Sequence, residues 1–131
     1  MRTRLVLGAL LVASLVSTAA QPRRVYCVTW GAADDATTEG RALTAQLDRQ
    51  LRDELQRRGA LVIDREDPRA AIILRPHLDV TPRTLSLRLV GVRSADQQLL
   101  GSVSMKATGS SRNAQVKAIV TRACLEADRF Q

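Results

Sequence analysis

Between Thr84 and Arg93 three leucines, Leu85, Leu87 and Leu89, alternate with Thr84, Ser86 and Arg88. This period of two constrains the fold more than any other feature of the chain. It places the leucines on one face of a pleated strand and the polar residues on the other. A strand with one dry and one wet face belongs to a sheet that another layer covers on one side only. The neighbouring segments agree. From Ala70 to Val80, Ile72, Leu74, Leu78 and Val80 share a face, and Arg75, His77 and Asp79 share the other. Beyond the polar loop Ser94 to Gln98, Leu99, Val103 and Met105 alternate with Ser102, Ser104 and Lys106. Pro76 offers no ladder donor, which predicts that its strand lies at a sheet edge or carries a bulge there. The β-branched and aromatic stretch Arg24 to Trp30 and the short run Ala60 to Ile63 bring the predicted sheet to about five strands.

The covering layer has a different period. Leu43, Leu47, Leu51 and Leu55 recur every four residues, with Arg49, Arg52, Asp53, Glu54, Arg57 and Arg58 on the remaining faces. That spacing predicts an amphipathic helix over 39–58. Thr37 or Thr38 caps its start, Glu39 favours the first turn, and Gly59 supplies the left-handed residue that stops it. A second helix is predicted over 112–130, where Val116, Ile119, Val120, Ala123, Ala127 and Phe130 fall at three-and-four spacing with Cys124 at the margin of the stripe. The predicted order is β-α-β-β-β-β-α. The predicted class is α/β (α+β): a two-layer sandwich with a mixed or antiparallel sheet and two helices on one face.

The chain opens with Arg2 and Arg4, an apolar run from Leu5 to Val16, and the small residues Ser17-Thr18-Ala19-Ala20. This is the three-part pattern of a secretory signal peptide, here 1–20, followed by a single secreted domain at 21–131. The apolar run falls short of the ~20 residues needed to cross a bilayer. The expected location is across the cytoplasmic membrane, in the periplasm, with membrane contact only peripheral. An oxidising compartment lets Cys27 and Cys124 pair, and a bridge between them would pin the last helix to the first strand. On the chain-entropy model, closing so long a loop contributes roughly 4 to 5 kcal/mol. Two separately buried free cysteines are the other reading.

Little in the chain points to chemistry. His77 is the only histidine, two residues from Asp79 on one strand face, and a metal site needs more ligands than that. Ser86, Ser102 and Ser104 face outward, but none lies in a Gly-x-Ser-x-Gly elbow. The adjacent carboxylates Asp34-Asp35 and Glu66-Asp67 fall in polar loops, and the glycines never take a phosphate-cradling spacing. No catalytic residue, metal or cofactor is therefore expected. The net charge of +7 falls to about +5 when Arg2 and Arg4 leave with the leader. The arginines are scattered, and Tyr26, Trp30 and Phe130 are the only aromatic residues, so no nucleic-acid platform is expected. Arg75, Arg88 and Arg93 form a basic stripe on the open face that suits an acidic partner surface. Trp30, beside a loop, is either a partner anchor or core filling.

The interaction candidates are Trp30, Arg75, His77 and Arg88. The chain reads as a non-catalytic protein-binding or envelope-assembly module, acting on envelope proteins or on copies of itself. The alternatives are a lipid- or polyanion-binding auxiliary protein of envelope transport, or a small secreted hydrolase acting through His77.

Arg24-Val25-Tyr26-Cys27-Val28, the helix ending Asp53-Glu54-Leu55-Gln56-Arg57-Arg58-Gly59, Leu61-Val62-Ile63-Asp64-Arg65, Ala70 to Leu78 and Leu85 to Val92 follow one another in a layout that resembles a known envelope fold. It is that of the TolB amino-terminal domain, the curli-secretion protein CsgG and the penicillin-binding-protein activator LpoB. The resemblance is one of pattern and covers nearly all of the chain after the leader. It implies a periplasmic or outer-membrane-associated domain without catalytic residues, which docks onto other envelope proteins or forms rings. Thr29-Trp30-Gly31 replaces the family's usual proline and phenylalanine after the first strand, and the lipid-accepting cysteine of several relatives is missing. The lipid-transport lipoproteins typified by LptE share a similar order of elements. No functional residue transfers from either group.

Overall fold

The computed structural model describes residues 24–30, 37–64 and 70–130. The expected leader at 1–20 and the loop carboxylates Asp34, Asp35, Glu66 and Asp67 lie outside the described residues. The elements are β1 (Val25–Val28), α1 (Thr38–Arg57), β2 (Leu61–Ile63), β3 (Ile72–Val80), β4 (Thr84–Arg93), β5 (Leu99–Thr108) and α2 (Arg112–Ala127). They occur in the expected order. The five strands form one sheet in the order β2-β1-β3-β4-β5. β1 runs parallel to β2 and β3, and β3, β4 and β5 are antiparallel, so the sheet is mixed.

Both helices cover the same face. α1 buries Leu43, Leu47, Leu51 and Leu55, and α2 buries Val116, Ile119, Val120, Ala123 and Cys124. These pack with Tyr26, Val28, Leu74, Leu78, Leu85, Leu87, Leu89 and Met105 in one core. Each fully buried leucine contributes roughly 1.5 to 3 kcal/mol relative to an exposed one. Thr37 caps α1 by accepting the Gly40 N–H at 3.0 Å, and Gly59 takes φ +93° beyond the helix end. Ser111 caps α2 through the Ala114 N–H at 3.3 Å.

Pro76 lies neither in an edge strand nor at a bulge, contrary to expectation. β3 is the middle strand, but β1 pairs with it only as far as Leu74, whose carbonyl accepts the Thr29 N–H at 2.9 Å. Even-numbered residues of β3 direct their backbone groups toward the β1 side. Pro76 therefore stands where an N–H would meet no partner strand, and its lack of one leaves the β4 ladder intact.

Three expectations are corrected. The bulge lies in β5 rather than β3: Gly91 pairs with Gly101 but Val92 with Leu99. The extra residue, Leu100, packs against the core and Leu99 is turned out, 62 % exposed, instead of sharing a face with Val103. The second helix ends at Ala127, not 130, and Phe130 lies beyond it, buried over the Gly91–Gly101 pair. A Cβ on Gly101 would lie 2.7 Å from Phe130 Cε1, and one on Gly91 would also overlap the ring. Two glycines in register thus form the notch that seats the last aromatic side chain.

The third correction is the disulfide. Cys27 and Cys124 are both free and buried. In β1, Tyr26 and Val28 face the helices, so the pleat turns Cys27 to the opposite face, among Ala70, Ile73 and Val92. Cys124 lies within the helix-side core, and the sheet separates the two sulfurs. The last helix is pinned to the first strand by other groups. Tyr26 Oη donates to the Ala127 carbonyl at 3.4 Å, and the Arg24 guanidinium donates to the Asp128 carbonyl at 2.6 Å and to Tyr26 Oη at 3.3 Å.

Candidate functional site: the open sheet face

The strand period sorts side chains between the two faces, and the register then sets them side by side. On the face away from the helices, β3 presents Arg75, His77 and Asp79, β4 presents Ser86, Arg88 and Val90, and β5 presents Ser102, Ser104 and Lys106. His77 lies opposite Arg88, which lies opposite Ser104. Asp79 lies opposite Ser86, which lies opposite Lys106. Cα atoms so paired are ~4.5 to 5.5 Å apart, which makes each row a continuous line of polar side chains across three strands. The two rows line a shallow depression of about 280 Å³. Arg75 reaches sideways to Gln97 Oε1 in the β4–β5 loop at 3.1 Å.

Toward β1 and β2 the same face becomes apolar. Cys27, Ala70, Ile73 and Val92 are buried there, with Val25, Ile63 and Val90 packed around them. The exposed, donor-rich part of this face, carrying Arg88 and Lys106, thus borders a second, buried apolar cluster. Asp79 is the one carboxylate in the depression.

Three of the four interaction candidates, Arg75, His77 and Arg88, come together on this face. Trp30 does not. Its indole N–H donates to Asp48 Oδ1 at 2.9 Å, and its ring packs against the helix-side core. Asp48 also accepts from Arg52 Nε at 2.9 Å, and Arg52 reaches Asp64 at 2.8 Å and the Val28 carbonyl at 3.2 Å. Trp30 therefore fastens the end of β1 to α1. His77, Asp79 and Ser86 share the depression, with Asp79 the register partner of Ser86 and His77 that of Arg88. A nucleophilic relay needs the imidazole between serine and carboxylate. Among the described residues, no three His, Cys, Asp or Glu side chains are grouped to hold a metal ion.

The sequence reading missed Gln115 and Arg112. Gln115 is buried and donates to the Arg83 and Gly109 carbonyls at 2.9 and 2.8 Å. Arg112 donates to the Thr84 carbonyl at 3.0 Å and to the Thr81 carbonyl, and pairs with Glu39. Together they clamp the β3–β4 turn under the start of α2. A glutamine next to Val116 on an otherwise apolar stripe was the available sign.

No family model matches the chain, and no characterised protein sequence does. The fold is similar to that of PelC. The PelC dodecamer from Paraburkholderia phytofirmans aligns at TM-score 0.55 and 14% identity, over 79% of this chain and 87% of PelC. The protein CT253 from Chlamydia trachomatis aligns at TM-score 0.50 and 9% identity, over 83% of this chain and 98% of its own. TolB from Acinetobacter baumannii aligns at TM-score 0.48 and 13% identity, over 82% of this chain and 28% of TolB.

Proposed function

We propose that the chain is an exported, non-catalytic docking module of the cell envelope, and that its open sheet face holds an acidic surface of a partner protein. The observation that carries this reading is the register. It aligns His77 with Arg88 and Ser86 with Lys106 in adjacent rows on the sheet face that neither helix covers. Donors and cations in adjacent exposed rows, with no helix over them, form a surface suited to meeting a partner rather than to transforming a small molecule. The signal-peptide pattern read at 1–20 supports export of the remainder, 21–131, as one domain. Similarity to a protein that assembles as a dodecamer supports an assembly role.

Charge reversal tests the reading. Arg88→Glu combined with Lys106→Glu should abolish partner binding while leaving the circular dichroism spectrum unchanged, because both side chains are exposed. Binding that survives the double reversal would refute it. The alternative, a lipid- or polyanion-binding role, is favoured by the same cations and by the net charge of about +5 on 21–131. It predicts salt-sensitive binding to vesicles of anionic phospholipid without any partner protein.

A further inference from the structure

The two edges of the sheet are built differently. β2, at one edge, has three residues, too short to template another strand. β5, at the other, has ten, and among the described residues no strand lies beyond it. Gly109 N–H donates to the Arg83 carbonyl at 3.3 Å, which fixes the phase of the β4–β5 ladder. Odd-numbered residues of β5 bond to β4. Ser102, Ser104, Lys106 and Thr108 therefore direct their N–H and C=O groups outward, and all four are exposed. β5 contains no proline, its bulge lies at its first turn of pleat around Leu100, and Lys106 is its one charged residue. The usual devices that blunt an edge are thus nearly absent from Gly101 to Thr108.

We propose that the outer edge of β5 is an interaction surface for a second copy of this chain, paired antiparallel about a two-fold axis at Met105. The strand's own pattern selects this occupant. About that axis Ser104 stands opposite Lys106 of the other copy, Ser102 opposite Thr108, Val103 opposite Ala107, and Met105 opposite itself. Outward-directed residues meet outward-directed residues, so all four contribute ladder bonds. Apolar side chains meet on the helix side and polar ones on the open side. An axis at Lys106 would oppose two ammonium groups, and an axis at Ser104 would set Thr108 against the bulge at Leu100. The pairing joins the polar rows into one: Asp79, Ser86 and Lys106 of one copy continue into Ser104, Arg88 and His77 of the other. It rests on the edge alone and stands whether or not the open face docks an acidic partner.

The test is sedimentation velocity of the purified protein over a concentration series. The protein should dimerise, and Ser104→Pro should weaken the dimer at least about 100-fold, since the ring removes a central outward donor and its neighbour's partner. The N–H lost is not part of the β4 ladder, as at Pro76, so the variant should keep its fold. Separately, a mixture of the Ser104→Cys and Lys106→Cys proteins should form a disulfide-linked dimer on mild oxidation, in higher yield than either protein alone. That readout stands even if the proline variant does not fold. A wild type that is monomeric throughout, a dimer indifferent to Ser104→Pro, or a mixture that crosslinks no better than its components would each overturn the proposal.

Discussion

Gly91 and Gly101 show how much of this fold depends on single positions that no pattern marks. In sequence they are two glycines among seven, one in a strand and one after a loop. Only the β4–β5 register brings them together, and only the return of the chain at Phe130 gives them a role. Gly101→Ala should destabilise the protein by roughly 1 to 3 kcal/mol in urea denaturation, because the new Cβ overlaps the ring. The same substitution in a Phe130→Ala background should cost clearly less, and equal costs would show that the notch is not what the glycine serves. Cys124 gives a second prediction. Burial pushes its thiol up to about 12 from an ordinary 9.0, and burial also raises Tyr26. Both groups stay protonated in the folded state at pH values where the unfolded chain has released its protons. Stability should therefore be level up to about pH 9 and fall from there toward pH 12. A Cys124→Ala variant should fall less steeply over that window, and an identical slope would contradict the assignment.

At the scale of elements, periodicity told most of the story, and its failures have physical causes. The leucine ladder of α1 and the alternation in β3 and β4 both follow from one buried face per element, and both were readable. Leu47→Ala should cost roughly 2 to 5 kcal/mol, since the side chain is fully enclosed between α1 and the sheet. The alternation in β5 broke at Leu100 because a bulge is a one-residue shift that leaves no sign in composition. Pro76 read as an edge residue because proline reports whether its own N–H is needed, and β1 is too short to need it. The disulfide failed because pairing was inferred from compartment, while the pleat places Cys27 on the face that Cys124 cannot reach. The melting temperature should accordingly be the same with and without a reducing agent, and denatured, unreduced protein should titrate with two free thiols per chain. One thiol-free, bridged chain would reverse that conclusion.

For the molecule as a whole, the layer arrangement was legible but the site only in part. A strand pattern says which residues face outward, so Arg75, His77 and Arg88 could be named before the fold was known. It does not say which strands are neighbours, so the rows with Ser104 and Lys106 appeared only with the register. Trp30 was ambiguous because its partner, Asp48, lies on α1, eighteen residues away in sequence. The two sides of the domain should therefore behave differently. The helix-covered side should tolerate surface changes on α2, and the open side should lose binding when its cations are reversed. The most direct measurement is site-specific photocrosslinking in intact cells, with the photoreactive residue placed at Arg88 on the open face or at Arg122 on the exposed side of α2. One defined envelope protein should be captured from position 88, with the capture diminished at high salt and absent from position 122. Equal capture from both positions, or none from position 88, would contradict the docking role of the open face.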